Sequence, residues 1–459
     1  MVSFILPGNS ATGGYDVANS LRFNSGSSDS LTRSTTAGNR TTWTFSTWFK
    51  RSKLGVLQSI LQHDDVNYFR IRITSGDVFE VFDSNGNNTW NWNPLLRDTS
   101  AWYHIVLRGD STDGTNGNRL RLYINGTLAS ANTVASISEN YTFSFNQGGT
   151  LEIGKRGSTD YLDGYLAETI LIDGSALAPD QFGEFDSDSG IWKPIDVSGL
   201  TFGTRGFYLD FESSGSLGAD VSGNGNNFTV NNLTSIDQST DTCTNNFATY
   251  NSIFGQGRQD LLTYAEGNLS VTSSHTTGSD TTSTSTFAFD SGKWYAEFKL
   301  TSSADGVYVG VATSNLNFTN SGIDTSGNSN CWITRGDDGT VRNNGSTAYF
   351  GTSFSNNDII QIAIDMDNSK IWWGLNGTYG NSGNPSTGSN PAYSNLSGEL
   401  MIIVGDNYSD RTPTILANFG SPPYTISSGN SDGNGYGNFE YAVPSGYYSL
   451  NTKNLAEYG

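Results

Sequence analysis

The sequence predicts an all-β protein of two β-sandwich domains in tandem. A complete β-hairpin is written into the chain twice. In Arg119–Ala129 apolar and polar residues alternate through Leu120, Leu122 and Ile124, and Asn125-Gly126 supplies the two positive-φ positions of a type I′ turn. Ser369–Tyr379 repeats the pattern with Asn376-Gly377. Each copy follows another strand-like run, 102–108 in the first case and 358–365 in the second. Composition agrees, since 54 Gly, 12% aromatic residues, 15% charged residues and only 3 Met suit strands joined by tight turns better than helices. A length of 459 residues leaves room for two to four domains, each with its own core.

Residues 1–15 read as an N-terminal arm, apolar at first and then Gly-rich. The first sandwich spans 16–212. Leu21–Phe23 opens it, and Trp43–Phe49 then alternates aromatic and small polar residues near period two. Runs at 57–61, 68–73, 78–82, 102–108, 120–124, 151–154, 165–172 and 207–211 continue the pattern. Ser75-Gly76, Asn85-Gly86, Asp113-Gly114, Asp163-Gly164 and Asp173-Gly174 punctuate it, and Ala178–Phe182 carries a Pro suited to the start of one helical turn. Residues 213–265, rich in Ser, Asn, Thr and Gly, read as a connector tethered by Phe228, Leu233, Phe247 and Tyr250. The second sandwich spans 266–425, with strands at 294–300, 306–312, 359–364, 370–373, 399–404 and 415–419. Residues 426–459 read as a Gly/Asn/Tyr-rich C-terminal tail.

Five segments in order make the first region resemble the laminin G-like branch of the concanavalin A-like lectin/glucanase superfamily. They are Trp43–Trp48, Trp102–Val106, Arg121–Gly126, Leu151–Gly154, and Gly164–Ile170 leading to Ala176–Pro179. The second region resembles a SPRY domain, through Gly292–Tyr295, Val309–Ala312, Asp358–Asp367, Ile371–Gly377 and Asn418–Gly420. Both resemblances imply concanavalin A-like jelly-roll sandwiches. The pairing, with the tail segment Pro444–Thr452, is similar to virion-associated appendage proteins of tailed phages, marine ones in particular. That similarity implies a virion location and a tail fibre or spike that recognises a host surface glycan or protein. Capsid decoration, with sandwiches packed on neighbouring subunits, stays open as the structural alternative.

The net charge of −20 disfavours nucleic acid and anionic lipid as partners and favours cations or neutral sugars. No run of 18 apolar residues exists, so no helical membrane span is expected, and Met1–Gly8 lacks the basic start and long apolar core of a secretory signal. The two cysteines, Cys243 and Cys331, are expected as buried thiols, with a single bridge left open. Glucanases of this superfamily need Glu-x-Asp-x-x-Glu on one strand, and no such run occurs; Glu184-Phe-Asp186 begins one, but Ser189 ends it. Three histidines offer no nucleophilic triad: His104 lies in an apolar strand and His275 in a Ser/Thr-rich stretch. The protein is therefore expected not to be an enzyme, and glycoside hydrolysis is the last alternative.

Aromatic and oxygen-bearing side chains are the candidates for binding. Trp90 and Trp92, two apart in a polar context, could stack on the C–H faces of a sugar or fill the core; Tyr68 is a further candidate. His63, preceding Asp64-Asp65 in an expected loop, could touch a ligand or a metal. Ca2+ is the one cofactor the domain class suggests. Asp64, Asp65, Asp110, Asp113 and Asn116 are its candidate ligands on rim loops, and all five are equally ordinary turn residues. Phe4, Ile5 and Leu6 are the most apolar terminal run and are expected to anchor the chain to other virion proteins, or to pair as an extra strand on the first domain. A homo-oligomer is expected, a trimer being the first guess from phage appendages in general.

Overall fold

The computed structural model describes residues 14–274, 280–302, 305–315, 323, 328–349, 351, 353–408 and 411–459. Nearly all regular structure is β, and among these residues the only α-helix is Thr452–Tyr458. The chain is two jelly-roll β-sandwiches in tandem, one unit ending at Asn246 and the next beginning at Phe247.

In the first unit two antiparallel sheets enclose one core. The first sheet runs Thr127–Leu128, Leu120–Ile124, Trp102–Asp110, Thr42–Arg51, Gly164–Asp173, Ser20–Phe23, Gln238–Ser239, with Phe207–Leu209 also paired to Gly164–Asp173. The second runs Ala131–Val134, Asn88–Leu95, Val78–Asp83, Tyr68–Ile73, Gln58–Asp64, Gly149–Ile153, Ser30–Thr35, Thr229–Asn231. Period-two alternation sends Phe69, Ile71 and Ile73 inward from one strand and Phe79 and Val81 from its neighbour. Trp43 from the opposite sheet meets Phe69, Phe143 and Phe145 edge-on, with ring centroids 5.5, 5.3 and 4.5 Å apart. The outer face of the first sheet is also covered. Trp48, Trp102, Tyr165, Trp192 and Cys243 form one buried cluster there, and Val106, Ile170, Phe182, Phe202 and Tyr208 another.

The second unit pairs a seven-stranded sheet with an eight-stranded one around Trp294, Phe298, Val309, Trp332 and Ile362. Both Asn-Gly pairs form two-residue hairpin turns. Asn125 and Gly126 have φ of 48° and 74° between the paired Ile124 and Thr127, and Asn376 and Gly377 have 49° and 86° between Leu375 and Thr378. The asparagines do more than bend the chain. Asn125 Oδ1 accepts the His104 N–H at 2.7 Å, and Asn376 Oδ1 accepts the Ile359 N–H at 3.0 Å. Each turn is thus sewn to the strand preceding its hairpin, in the same way in both units.

Two expectations about organisation change. Residues 213–265 are not a separate connector: Thr229–Asn231 pairs with Ser30–Thr35, Gln238–Ser239 with Ser20–Phe23, and Tyr250–Gly257 with Thr281–Phe289. Their anchors are the predicted ones, since Phe228 and Leu233 lie in the first core and Tyr250 in the second. Residues 426–459 are not a loose tail. The Glu297 carboxylate accepts the N–H groups of Glu440 and Tyr441 at 3.0 and 2.8 Å, while Phe439, Tyr447 and Leu455 are buried in the unit. The Trp90-Trp92 segment is a strand, one in from the edge of its sheet. The helical turn forms at Pro179–Gln181, and Cys243 and Cys331 are both buried thiols, not joined by a disulfide.

Candidate functional site

The outer face of the second sheet of the first unit is the opposite of its partner. None of the buried apolar clusters includes its outward residues: Tyr68, Arg70, Arg72, Phe82 and Asn91 are half-buried, and Gln62, Glu80 and Glu152 are buried among their polar neighbours. Register places them in rows across the strands. Phe82 faces Arg70, Arg70 faces Gln62, and Gln62 faces Glu152. The next row joins Asn91, Glu80 and Arg72. Because alternation sends Phe69, Ile71 and Ile73 inward, Tyr68, Arg70 and Arg72 must all point outward.

These groups hold one another in place. The half-buried rings of Tyr68 and Phe82 stack at 5.6 Å, and the Arg70 guanidinium lies 3.9 Å from the Tyr68 ring centre. Arg70 Nε donates to Gln62 Oε1 at 2.9 Å. Arg72 instead is neutralised, its Nε donating to Glu80 Oε1 at 2.6 Å, and the Asn91 amide, oriented with its nitrogen toward the carboxylate, donates to Glu80 Oε2 at 3.0 Å. Burial, and then the nearby charge of Arg156, lowers the Arg70 guanidinium below its ordinary value. Among the described residues Arg70 forms no ion pair, so a fixed, partly desolvated cation with uncommitted Nη–H donors stands beside a phenol and an aromatic edge. That combination suits an oxygen-rich ligand.

Of the residues singled out in the sequence, Tyr68 belongs to this face. Trp90 and Trp92 do not: they are 1% and 4% exposed, point into the core, and Trp90 Nε1 donates to the Ala135 carbonyl at 3.0 Å. Neither can stack on a sugar. His63 is in the strand Gln58–Asp64 rather than a loop, and it is buried. Its Nδ1 accepts the Asn146 N–H at 3.0 Å, and burial pulls its pKa down to about 4, which makes it a neutral core histidine.

The calcium candidates do not gather into a site. Asp64 and Asp65 are exposed at one hairpin. Asp110 Oδ1 accepts the Thr112 hydroxyl at 2.7 Å, Asp113 Oδ1 accepts the Thr115 N–H at 2.7 Å, and Asn116 Oδ1 accepts the Ile137 N–H at 2.8 Å. Those bonds to Thr115 and then Asn118 hold the Asp113 carboxyl below the usual range. Among the described residues no three His, Cys, Asp or Glu side chains converge as metal ligands. Phe4, Ile5, Leu6 and His275 lie outside the described residues. Arg70, Phe82 and Gln62 were not singled out, although the alternation of Tyr68–Ile73 already puts Arg70 and Arg72 on Tyr68's side.

A second perturbed group sits under the covered face of the first sheet. Glu168 is buried, with a left-handed φ of 47° at an irregularity in the strand Gly164–Asp173. Tyr208 and Tyr15 hydroxyls donate to its Oε2 at 2.7 and 3.4 Å. Burial, reinforced by Asp210, pushes its pKa up to about 7. His104 is buried too. Its Nδ1 accepts the Trp192 indole N–H at 2.9 Å, which leaves Nε2–H to donate to Ser46 Oγ at 2.9 Å, and burial lowers its pKa to about 3.

Residues 24–181 match the family model described as the concanavalin A-like lectin/glucanases superfamily. Residues 293–401 match the SPRY domain. A lectin/glucanase-like region is therefore followed by a SPRY region. Among solved structures the chain is similar to a candidate carbohydrate-binding protein from Bacteroides ovatus, at 18% identity and TM-score 0.34, over 47% of this chain and 59% of that one. It is also similar to the SPRY domain of human HERC1, at 20% identity and TM-score 0.28, over 32% of this chain and 87% of that one. A heptameric SAP-like pentraxin from Limulus polyphemus matches at 16% identity and TM-score 0.28, over 37% and 82%. At these identities and scores the likeness carries nothing about function. No curated protein matches the chain.

Proposed function

We propose that this is a non-catalytic binding protein whose first sandwich takes a glycan on the open face of its second sheet. The observation that carries this is Arg70: its Nε is fixed by Gln62, its Cζ lies over the Tyr68 ring, and it has no ion-pair partner among the described residues. Sugar hydroxyls would accept from Arg70 Nη and pair with the Tyr68 hydroxyl, while Phe82 packs on a C–H face. The family match to a lectin/glucanase superfamily supports the ligand class. Hydrolysis is disfavoured because the face's acids are committed, Glu80 to Arg72 and Glu152 Oε2 to the Gly157 N–H at 2.8 Å.

We place the protein on a tailed-phage virion, as a tail fibre or spike subunit that meets the host surface. Its support is the sequence resemblance of the domain pairing and of Pro444–Thr452. The partners of that assembly would be other virion proteins, through the apolar arm with Phe4, Ile5 and Leu6, and copies of the chain itself, three as the first guess. A glycan array with the full chain tests the binding. Reproducible hits weakened roughly tenfold or more by Arg70→Ala and Phe82→Ala, in folded variants, support recognition. Hits untouched by either variant place the site elsewhere. No hits, with tight binding to another virion protein, favours a purely structural role such as capsid decoration.

A further inference from the structure

The first unit buries a lysine, an aspartate and an asparagine together. Lys50 comes from the strand Thr42–Arg51, and Asp241 and Asn246 from the last turns of the unit. Lys50 Nζ lies 2.7 Å from Asp241 Oδ2 and 2.7 Å from Asn246 Oδ1. The Lys50 and Asp241 side chains are each 1% exposed, and Asn246 is 0% exposed. The trio is held rigidly from outside. The Trp102 indole N–H donates to Asp241 Oδ1 at 3.1 Å, the Ser20 hydroxyl to the Asp241 carbonyl at 2.6 Å, and Asn246 Nδ2 to the Ser100 carbonyl at 2.7 Å. The Tyr165 ring lies 5.6 Å from Nζ.

We propose that Lys50 and Asn246 form an intramolecular isopeptide bond, with Asp241 as the proton acceptor. Asp241 takes a proton from the Lys50 ammonium, which neutralises both groups where water is excluded. The free Nζ attacks Asn246 Cγ, the atom bonded to the Oδ1 it already touches, and a Nζ–Cγ bond forms. The second Nζ proton passes, by way of Asp241, to Nδ2. The Cγ–Nδ2 bond then breaks and ammonia leaves, while Asp241 keeps the proton first taken from Lys50. An ammonium, a carboxylate and an amide thus become a secondary amide, a carboxylic acid and ammonia, with atoms and charge balanced and no oxidant required. Two features of the site drive the reaction. The groups are fixed at contact distance, which raises their effective concentration by many orders of magnitude. The product also removes a buried ion pair, whose desolvation is costly.

The bond would have a mechanical consequence. Asn246 is the last residue of the first unit, so tension on the chain that follows would enter the strand Thr42–Arg51 at Lys50 and bypass residues 51–245.

Mass spectrometry of the purified full chain decides the matter. The expected intact mass is below the sequence mass by one ammonia, about 17 Da. Succinimide formation at an Asn-Gly pair gives the same loss, so the digest must also show a branched peptide joining Lys50 to Asn246. Linear peptides carrying unmodified Lys50 and Asn246 overturn the proposal. Lys50→Arg and Asn246→Ala should remove the branched peptide, and on a denaturing gel both should run slower than the wild type, whose internal loop stays closed. Asp241→Ala should leave Lys50 and Asn246 unlinked, and a branched peptide in that variant refutes the role given to Asp241.

Discussion

Replacing Glu168 by Gln should change how the stability of the first unit depends on pH, with a sign opposite to that of a surface carboxylate. The folded unit holds the Glu168 proton up to about pH 7, against 4.5 for an ordinary glutamate. Between those values the native state binds more protons than the unfolded chain, so stability falls as pH rises. The contribution is fully present below pH 4.5 and gone above 7. Over about 2.5 pH units, at about 1.4 kcal/mol each, the loss is roughly 3 kcal/mol. Tyr208 and Tyr15 do not titrate in this range, because burial and the nearby Glu168 charge raise both phenols. Gln keeps the shape and accepts the same hydroxyls without the proton. Urea unfolding of wild type and Glu168→Gln at matched pH isolates the effect, since all other groups cancel in the difference. The variant should gain on the wild type steadily from pH 4.5 to 7 and then run parallel to it. Two curves parallel throughout would refute a raised Glu168 pKa.

Further outcomes can be checked with the same assay. Below pH 6.5 the first unit should lose stability as pH falls, because the unfolded chain protonates His63 and His104 while the folded one resists to about 4 and 3; in Glu168→Gln the slope from pH 6.5 to 4.5 should approach two protons, about 2.7 kcal/mol per pH unit. Trp90→Ala should cost about 3–5 kcal/mol by leaving a core cavity and orphaning the Ala135 carbonyl, and glycan binding by the folded fraction should be unchanged. Gly126→Ala should destabilise its unit more than Gly377→Ala does its own, by about 1–2 kcal/mol of backbone strain in each case plus the clash. The new Cβ at 126 would sit 2.3 Å from the Trp192 ring and dislodge the indole that holds His104, whereas at 377 it meets Tyr441 at 2.9 Å.

What the sequence disclosed, and what it hid, follows from which side of a strand carries the signal. Strands with one apolar and one polar face were legible, and Tyr68–Ile73 was read to the residue. The strand Thr281–Phe289 was not, because its Thr and Ser residues look like a solvated stretch. In the fold they are buried and paired sideways, as when Ser273 and Thr281 hydroxyls meet at 3.0 Å or Thr282 meets Tyr308 at 2.5 Å. Asn88–Leu95 was less legible: its polar residues fitted a loop or a sheet edge equally, while Trp90 and Trp92 at spacing two were the inward face of a strand. The same alternation decides between the two readings of Trp90 and Trp92, the sugar platform and the core. A large ring on an alternating strand is worth more in the core, and both tryptophans are there. The outward positions fell instead to Arg70, Arg72 and the more modest rings of Tyr68 and Phe82. The buried Lys50–Asp241–Asn246 trio had no sequence signal at all, since its members lie up to 196 residues apart and only chain topology brings them together. A lysine that the fold places at the closing residue of its own domain, beside an amide and a carboxylate, is chemistry written by tertiary structure alone.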